Sequence, residues 1–128
     1  MKFAKILFWV AGIWGLLTLT PLYFLYDTIG QKDPPPITHP GFYFGFAGVA
    51  LAWQFAFFVI GSQPARFRPL MIVAVLEKLG FGVPSVVLFL RHRMNAGDMG
   101  LGCIDLLFAV LFLIAFGNAG MNTGWNRT

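Results

Sequence analysis

Residues 41–62 read GFYFGFAGVALAWQFAFFVIGS, twenty-two positions without a charged side chain. A helix needs about 20 mostly apolar residues to cross a bilayer. A water-facing helix of that length would carry a polar face opposite its apolar one. Here Gln54 is the strongest polar group. Three other stretches share this character. Residues 6–26 read ILFWVAGIWGLLTLTPLYFLY and are also uncharged. Residues 69–90 are apolar apart from Glu77 and Lys78, and residues 99–117 carry one acid, Asp105. The expected fold is all-α and integral to a membrane. It is an antiparallel up-down bundle of four spans at about 5–26, 41–62, 69–90 and 99–117, forming one domain over 1–128.

Composition agrees with that pattern. The chain has 128 residues, 58% hydrophobic and only 11% charged. Soluble domains carry about 25% charged residues, and a small one must leave about a third of its surface to water. A soluble globular domain, a disordered chain and a disulfide-stapled module are therefore excluded. The net charge of +4 is scattered over termini and loops, which fits anionic headgroups and not a nucleic-acid partner. Cys103 is the single cysteine, so no intrachain disulfide forms. The first apolar run is too long for a signal-peptide core and has no small-x-small cleavage site before Pro21, so it reads as a retained span.

The connections are short. The longest, 27–40, holds Pro34-Pro35-Pro36 and Thr38-His39-Pro40 and reads as an extended extracytoplasmic loop. Asp98 is expected as the N-cap of the fourth span. Counting positive charges places Lys2, Lys5, Arg66, Arg68 and Arg127 on one side, and Lys32, Arg91 and Arg93 on the other. The larger group goes to the cytoplasm, giving N-in and C-in topology. Ala11 and Gly15 in span one, and Gly41, Gly45, Gly48 and Ala52 in span two, form small faces suited to close helix packing. Pro21 and Pro84 each remove a backbone donor within a span. Tyr23, Tyr26, Tyr43 and Trp125 sit where interfacial anchors belong.

Ionisable groups at membrane depth call for a partner or a function. At ~1.5 Å rise per residue, Gln54 and Glu77 fall at one depth, and Lys78 within ~6 Å of Asp105. A Lys78–Asp105 ion pair and a Gln54–Glu77 hydrogen bond are expected. The layer then acts either as a clamp fixing helix register or as the wall of a cavity around Glu77. Trp14 and Trp53 lie deep enough to pack beside it. His39 sits in the loop before span two, and with His92 it makes no metal site. No phosphate-binding, haem-attachment or metalloprotease motif is present, so no metal or resident cofactor is expected, although a lipid or quinone would suit an apolar pocket.

The run Pro34-Pro35-Pro36-Ile37-Thr38-His39-Pro40, with Trp53-Gln54, Arg66, Arg68, Pro69, Glu77-Lys78 and Asp105, resembles small bacterial four-helix membrane proteins, broadly DoxX-like. The resemblance covers nearly the whole chain. It implies an inner-membrane bundle, in a group sometimes associated with quinone or thiol redox systems. More distantly, Glu77 and Asp105 are similar in placement to the intramembrane acids of sterol-isomerase-like bundles. Two functions are expected from these features. The first is a non-enzymatic accessory subunit or scaffold, with the bilayer and other membrane-protein subunits as partners. The alternative is a binder or enzyme for a quinone, isoprenoid or sterol-like ligand in a pocket around Glu77.

Overall fold

The computed structural model describes residues 2–120, which fold into helices alone. They form α1 (Lys2–Leu19), a 3-10 turn (Thr20–Tyr23), α2 (Tyr26–Lys32), α3 (Pro40–Ser62), α4 (Arg68–Leu90) and α5 (Ala96–Ala119). The segments Lys2–Tyr23, Pro40–Ser62, Arg68–Leu90 and Ala96–Ala119 are long and apolar enough to cross a membrane. Trp125 and Arg127 lie outside the described residues.

Local chemistry sets the helix ends. Pro21 has no N–H to give, and the α-helix tightens into the 3-10 turn there. Pro84 by contrast lies inside α4, which continues through it. α3 opens with Pro40 and α4 with Arg68-Pro69, where a missing N–H costs nothing. α4 closes with His92 in the left-handed region (φ 58°). Arg93 N donates to Leu88 O and His92 N to Phe89 O, which satisfies the helix's last carbonyls.

Two local expectations are corrected. The loop 27–40 is helical in its first part, because Asp27 in the first turn and Lys32 in the last complement the dipole of α2. The remainder folds back, with Tyr26 Oη donating to Ile37 O (2.9 Å) and Tyr43 Oη to Leu22 O (2.6 Å). Asp98 is not the N-cap of the fourth span. Asn95 takes that place and its side chain accepts from Asp98 N (2.7 Å), since its extended backbone presents the amide oxygen to the first turn.

Packing divides the bundle. α1 runs along α3 and α4 along α5; α1 also meets α5, whereas α3 and α4 barely touch. Sequential spans in the up-down order are thus tightly packed for α1 with α3 and α4 with α5, and only loosely for α3 with α4. Of the expected small face of α3, Gly48 is half-buried against the Tyr23 hydroxyl, and the rest is not a packing face. Gly41, Gly45 and Ala52 are exposed, and a Cβ built on Gly41 or Gly45 meets nothing within 4 Å. Close approaches occur instead between α4 and α5, where a Cβ on Gly102 would collide with Ser85, and between α1 and α3, where one on Gly15 would collide with Gln54.

One half of the bundle is filled. Phe8 of α1 stacks on Phe112 of α5 at 4.3 Å, and Phe57 of α3 meets Phe112 edge-on at 5.3 Å. Ile60, Met71, Ala74 and Ala115 close around them with no exposure. At this end Arg68 Nε donates to Phe116 O (2.8 Å), and its guanidinium lies 3.7 Å over the Phe116 ring. A cation there adds a second donor to a carbonyl that also accepts from Gly120 N, and it complements the negative end of the α5 dipole.

Phe112→Ala is expected to lower stability by about 3 kcal/mol, the low end of the soluble-core range, because an unfolded chain in a bilayer also sits among apolar groups. Phe55→Ala, on a ring that is 56% exposed, serves as the control and should change little. Thermal unfolding of both variants in detergent checks this.

Candidate functional site

The filled half ends at Lys78. Its side chain is 4% exposed, and Nζ lies 3.5 Å from Asp105 Oδ1 and 3.8 Å from Glu77 Oε2. The rings of Phe57 and Phe108 stand 5.0 and 5.4 Å from the same nitrogen. An ammonium in apolar surroundings requires this company: a carboxylate for charge and ring faces for the remaining field. The pairing across α4 and α5 is the one their depths suggest. Glu77 is the sequence neighbour of Lys78 and approaches from the side, at ion-pair distance but beyond hydrogen-bond reach.

Gln54 behaves differently from the expectation. It is 1% exposed, and its Nε2 donates to Ala50 O of its own helix at 2.7 Å. The expected bond to Glu77 is not made. The Gln54 carboxamide turns toward α1 instead, where Gly15 leaves a notch. A Cβ on Gly15 would overlap Gln54 Oε1. Gln54 Oε1 and Glu77 Oε2 are both buried with no hydrogen-bond partner among the described residues.

Beyond this layer the interior is hollow. A cavity of about 250 Å³ runs from Gln54, Glu77, Lys78 and Asp105 toward the α2 end of the bundle. All four long helices line it, and Ile29 of α2 joins them. Trp14 and Thr18 form part of its α1 wall, and Thr18 Oγ1 is already bonded to Trp14 O (3.0 Å). Tyr43 and Asp98 also line it. Sequence reading gave those two other roles, as anchor and as cap. Tyr43 reaches the cavity from the first turns of α3 and Asp98 from the first turn of α5.

A second depression lies between α3 and α4, where the helices stand apart. It measures about 640 Å³ and is walled by Trp53, Val49 and Gly45 on one side and Leu76, Gly80 and Phe81 on the other. Glu77 lines both spaces, as do Phe46, Ala50 and Phe81. Trp53, expected beside the polar layer, therefore faces this groove and not the cavity, and its ring also lies 6.2 Å from Phe57. Its helical position, one residue before the cavity-lining Gln54, rotates it outward by about 100°. His39 is exposed at the start of α3, with its ring 5.5 Å from Phe42, and lines neither space.

Chemically the site is an apolar chamber with an acceptor-rich floor. Among the described residues no three His, Cys, Asp or Glu side chains converge as a metal ion requires. No known family, no curated protein and no solved structure matches the chain.

Lys78→Met should destabilise the protein by about 3–5 kcal/mol, because it leaves carboxylates buried without a counter-charge. Lys78→Met combined with Asp105→Leu should lose less than the two single losses summed, with a coupling of about 1–3 kcal/mol. Strict additivity in a detergent unfolding assay would show that the pair does not interact.

Proposed function

We propose that the chain spans a membrane four times and binds a lipophilic ligand whose polar end rests on the layer of Gln54, Glu77, Lys78 and Asp105. The spans run up-down-up-down. Arg68 meets Phe116, Lys78 meets Asp105 and Ser85 abuts Gly102, an order that descends along α5 as it ascends along α4 and supports an antiparallel pair. Both termini are assigned to the cytoplasm, and the DoxX-like resemblance favours a bacterial inner membrane. The cavity then opens toward the extracytoplasmic half, beneath α2.

The observation that carries this reading is the cavity itself. A bundle that acts only by packing has no use for an unfilled chamber, least of all one walled by Gln54, Glu77, Lys78 and Asp105. Polar side chains at membrane depth cost free energy and call for a partner or a function. At about 250 Å³ the chamber lies just under the usual range of small-molecule sites, about 300–1,000 Å³. It suits a ring or polar head of a quinone-, isoprenoid- or sterol-like molecule. The scaffold reading explains the aromatic half of the bundle and leaves the hollow half without a role.

Thermal unfolding in detergent, with a panel of quinones, isoprenoid alcohols and sterols, tests the reading. A true ligand at 100 times its Kd should stabilise the wild type by about 2.7 kcal/mol. Glu77→Gln should lose most of that shift. A panel in which no compound separates wild type from Glu77→Gln would overturn the assignment. The topology has its own check. Lys32→Cys in a Cys103→Ser background should react with an impermeant maleimide added outside intact cells, and labelling only after lysis would reverse the orientation.

A further inference from the structure

We infer that α2 and its return segment, residues 26–37, form a hinged lid on the cavity, latched by the Asn95 carboxamide at the start of α5. The lid rests on the cavity reading above and adds the way in.

The segment is one compact piece. Tyr26 Oη, at the start of α2, donates to Ile37 O on the returning chain (2.9 Å). Gly30 is buried beneath that chain, and a Cβ there would come within 3.3 Å of Pro36 Cα and Ile37 N. Only glycine lets the backbones lie this close. The piece leans little on the bundle. α1 lies along α3 and α4 along α5, but α2 makes no extensive contact with any long helix. Ile29 is the residue of α2 that lines the cavity. An element with so few tertiary contacts opens at low free-energy cost. Its hinges are visible at both ends. The chain is not helical at 24–25 or at 38–39, where it can absorb a rotation. Just before the first hinge, Leu22 O accepts from Tyr43 Oη (2.6 Å), which fixes the chain's exit from the bundle to α3.

The latch is at the free edge, where α2 ends. Asn95 Nδ2 donates to Oδ2 of Asp33, the C-cap of α2, at 2.8 Å, and to Asp98 Oδ2 at 3.2 Å. Asp98 lines the cavity, and Asn95 Oδ1 caps α5 through Asp98 N. One carboxamide thus ties the lid to the cavity wall and to the tightly packed α4–α5 pair. The tie is exposed to water and holds two carboxylates on a single donor group. Without that donor, only like-charge repulsion is left between Asp33 and Asp98. The contact is therefore strong enough to keep the lid in place and weak enough to release it. With the latch released, the segment turns about its hinges, Ile29 leaves the wall, and the cavity meets the aqueous face at the α2 end.

The test uses the full chain in phosphatidylcholine nanodiscs, with Thr18→Cys on the cavity wall as reporter in a Cys103→Ser background. The probe is a methanethiosulfonate bearing a trimethylammonium group, whose fixed charge keeps it out of the lipid, and the readout is its rate of reaction. Asn95→Asp keeps a good helix cap but loses the Nδ2 donor and sets a third carboxylate at the latch. It should speed labelling about tenfold, the loss of one hydrogen bond to a charged group. Adding Asp33→Lys restores an attraction across the same gap and should return the rate to within about twofold of the parent. Helix content and elution volume should be unchanged in both. Equal rates in all three proteins overturn the latch. A reporter that reacts in the parent as fast as an exposed Lys32→Cys overturns the lid. Neither result touches the cavity reading, which stands or falls on whether a ligand stabilises wild type over Glu77→Gln, so the two failures are separable.

Discussion

A lysine ammonium buried between two helices is the constraint on which the rest of the bundle turns. Lys78 sits with its side chain 4% exposed, 3.5 Å from Asp105 and 3.8 Å from Glu77. Apolar surroundings make an isolated charge untenable, so α4 and α5 must meet in the register that brings Asp105 to Lys78. The tight approach of Gly102 to Ser85 lies on the same seam. Arg68 pins the far end of that seam at the last turns of α5. Three contacts of different chemistry thus agree on one alignment, and α1 and α3 assemble against it through Phe8, Phe57 and Phe112.

The same layer separates two kinds of interior. On one side, stacked rings and small aliphatics leave no exposed surface on Phe8, Phe57, Met71 or Phe112. On the other, the cavity opens. The filled side supplies rigidity, and the polar layer is therefore held from a firm base. The loose pair α3 and α4 adds a groove that shares Phe46, Ala50, Glu77 and Phe81 with the cavity as a common wall.

The legibility of this arrangement varied by residue. Lys78 and Asp105 were readable as partners because two opposite charges at similar depth in charge-poor helices have few alternatives. Gln54 and Glu77 share a depth as well, yet do not bond. Their pairing needs α3 to lie against α4, and depth along a helix axis carries no information on that lateral distance. The glycines of α3 misled for a related reason. Gly41 and Gly45 have the spacing of a packing face, but Ala47, Ala50 and Gln54 occupy the buried side. With apolar residues all around, the α3 sequence has too little contrast to mark which face turns inward. Asn95 was overlooked as the cap because Asp98, three residues on, has equally suitable chemistry, and only backbone geometry distinguishes them.

The sequence by itself determined that this chain is helical, that four segments are long and apolar enough to span a bilayer, and that three ionisable groups lie within them. Those properties follow from length, hydropathy and the cost of burying charge, each of which is a sum over residues. Tertiary structure alone decided which helices touch, where the interior is empty and which acceptors remain unpaired. A cavity is a difference between the volume enclosed by the backbones and the volume their side chains fill. It depends on the mutual rotation and spacing of all four long helices, which no single segment encodes. Glu77 accordingly stands both beside Lys78 and on the cavity wall, two places that its position along the chain does not distinguish.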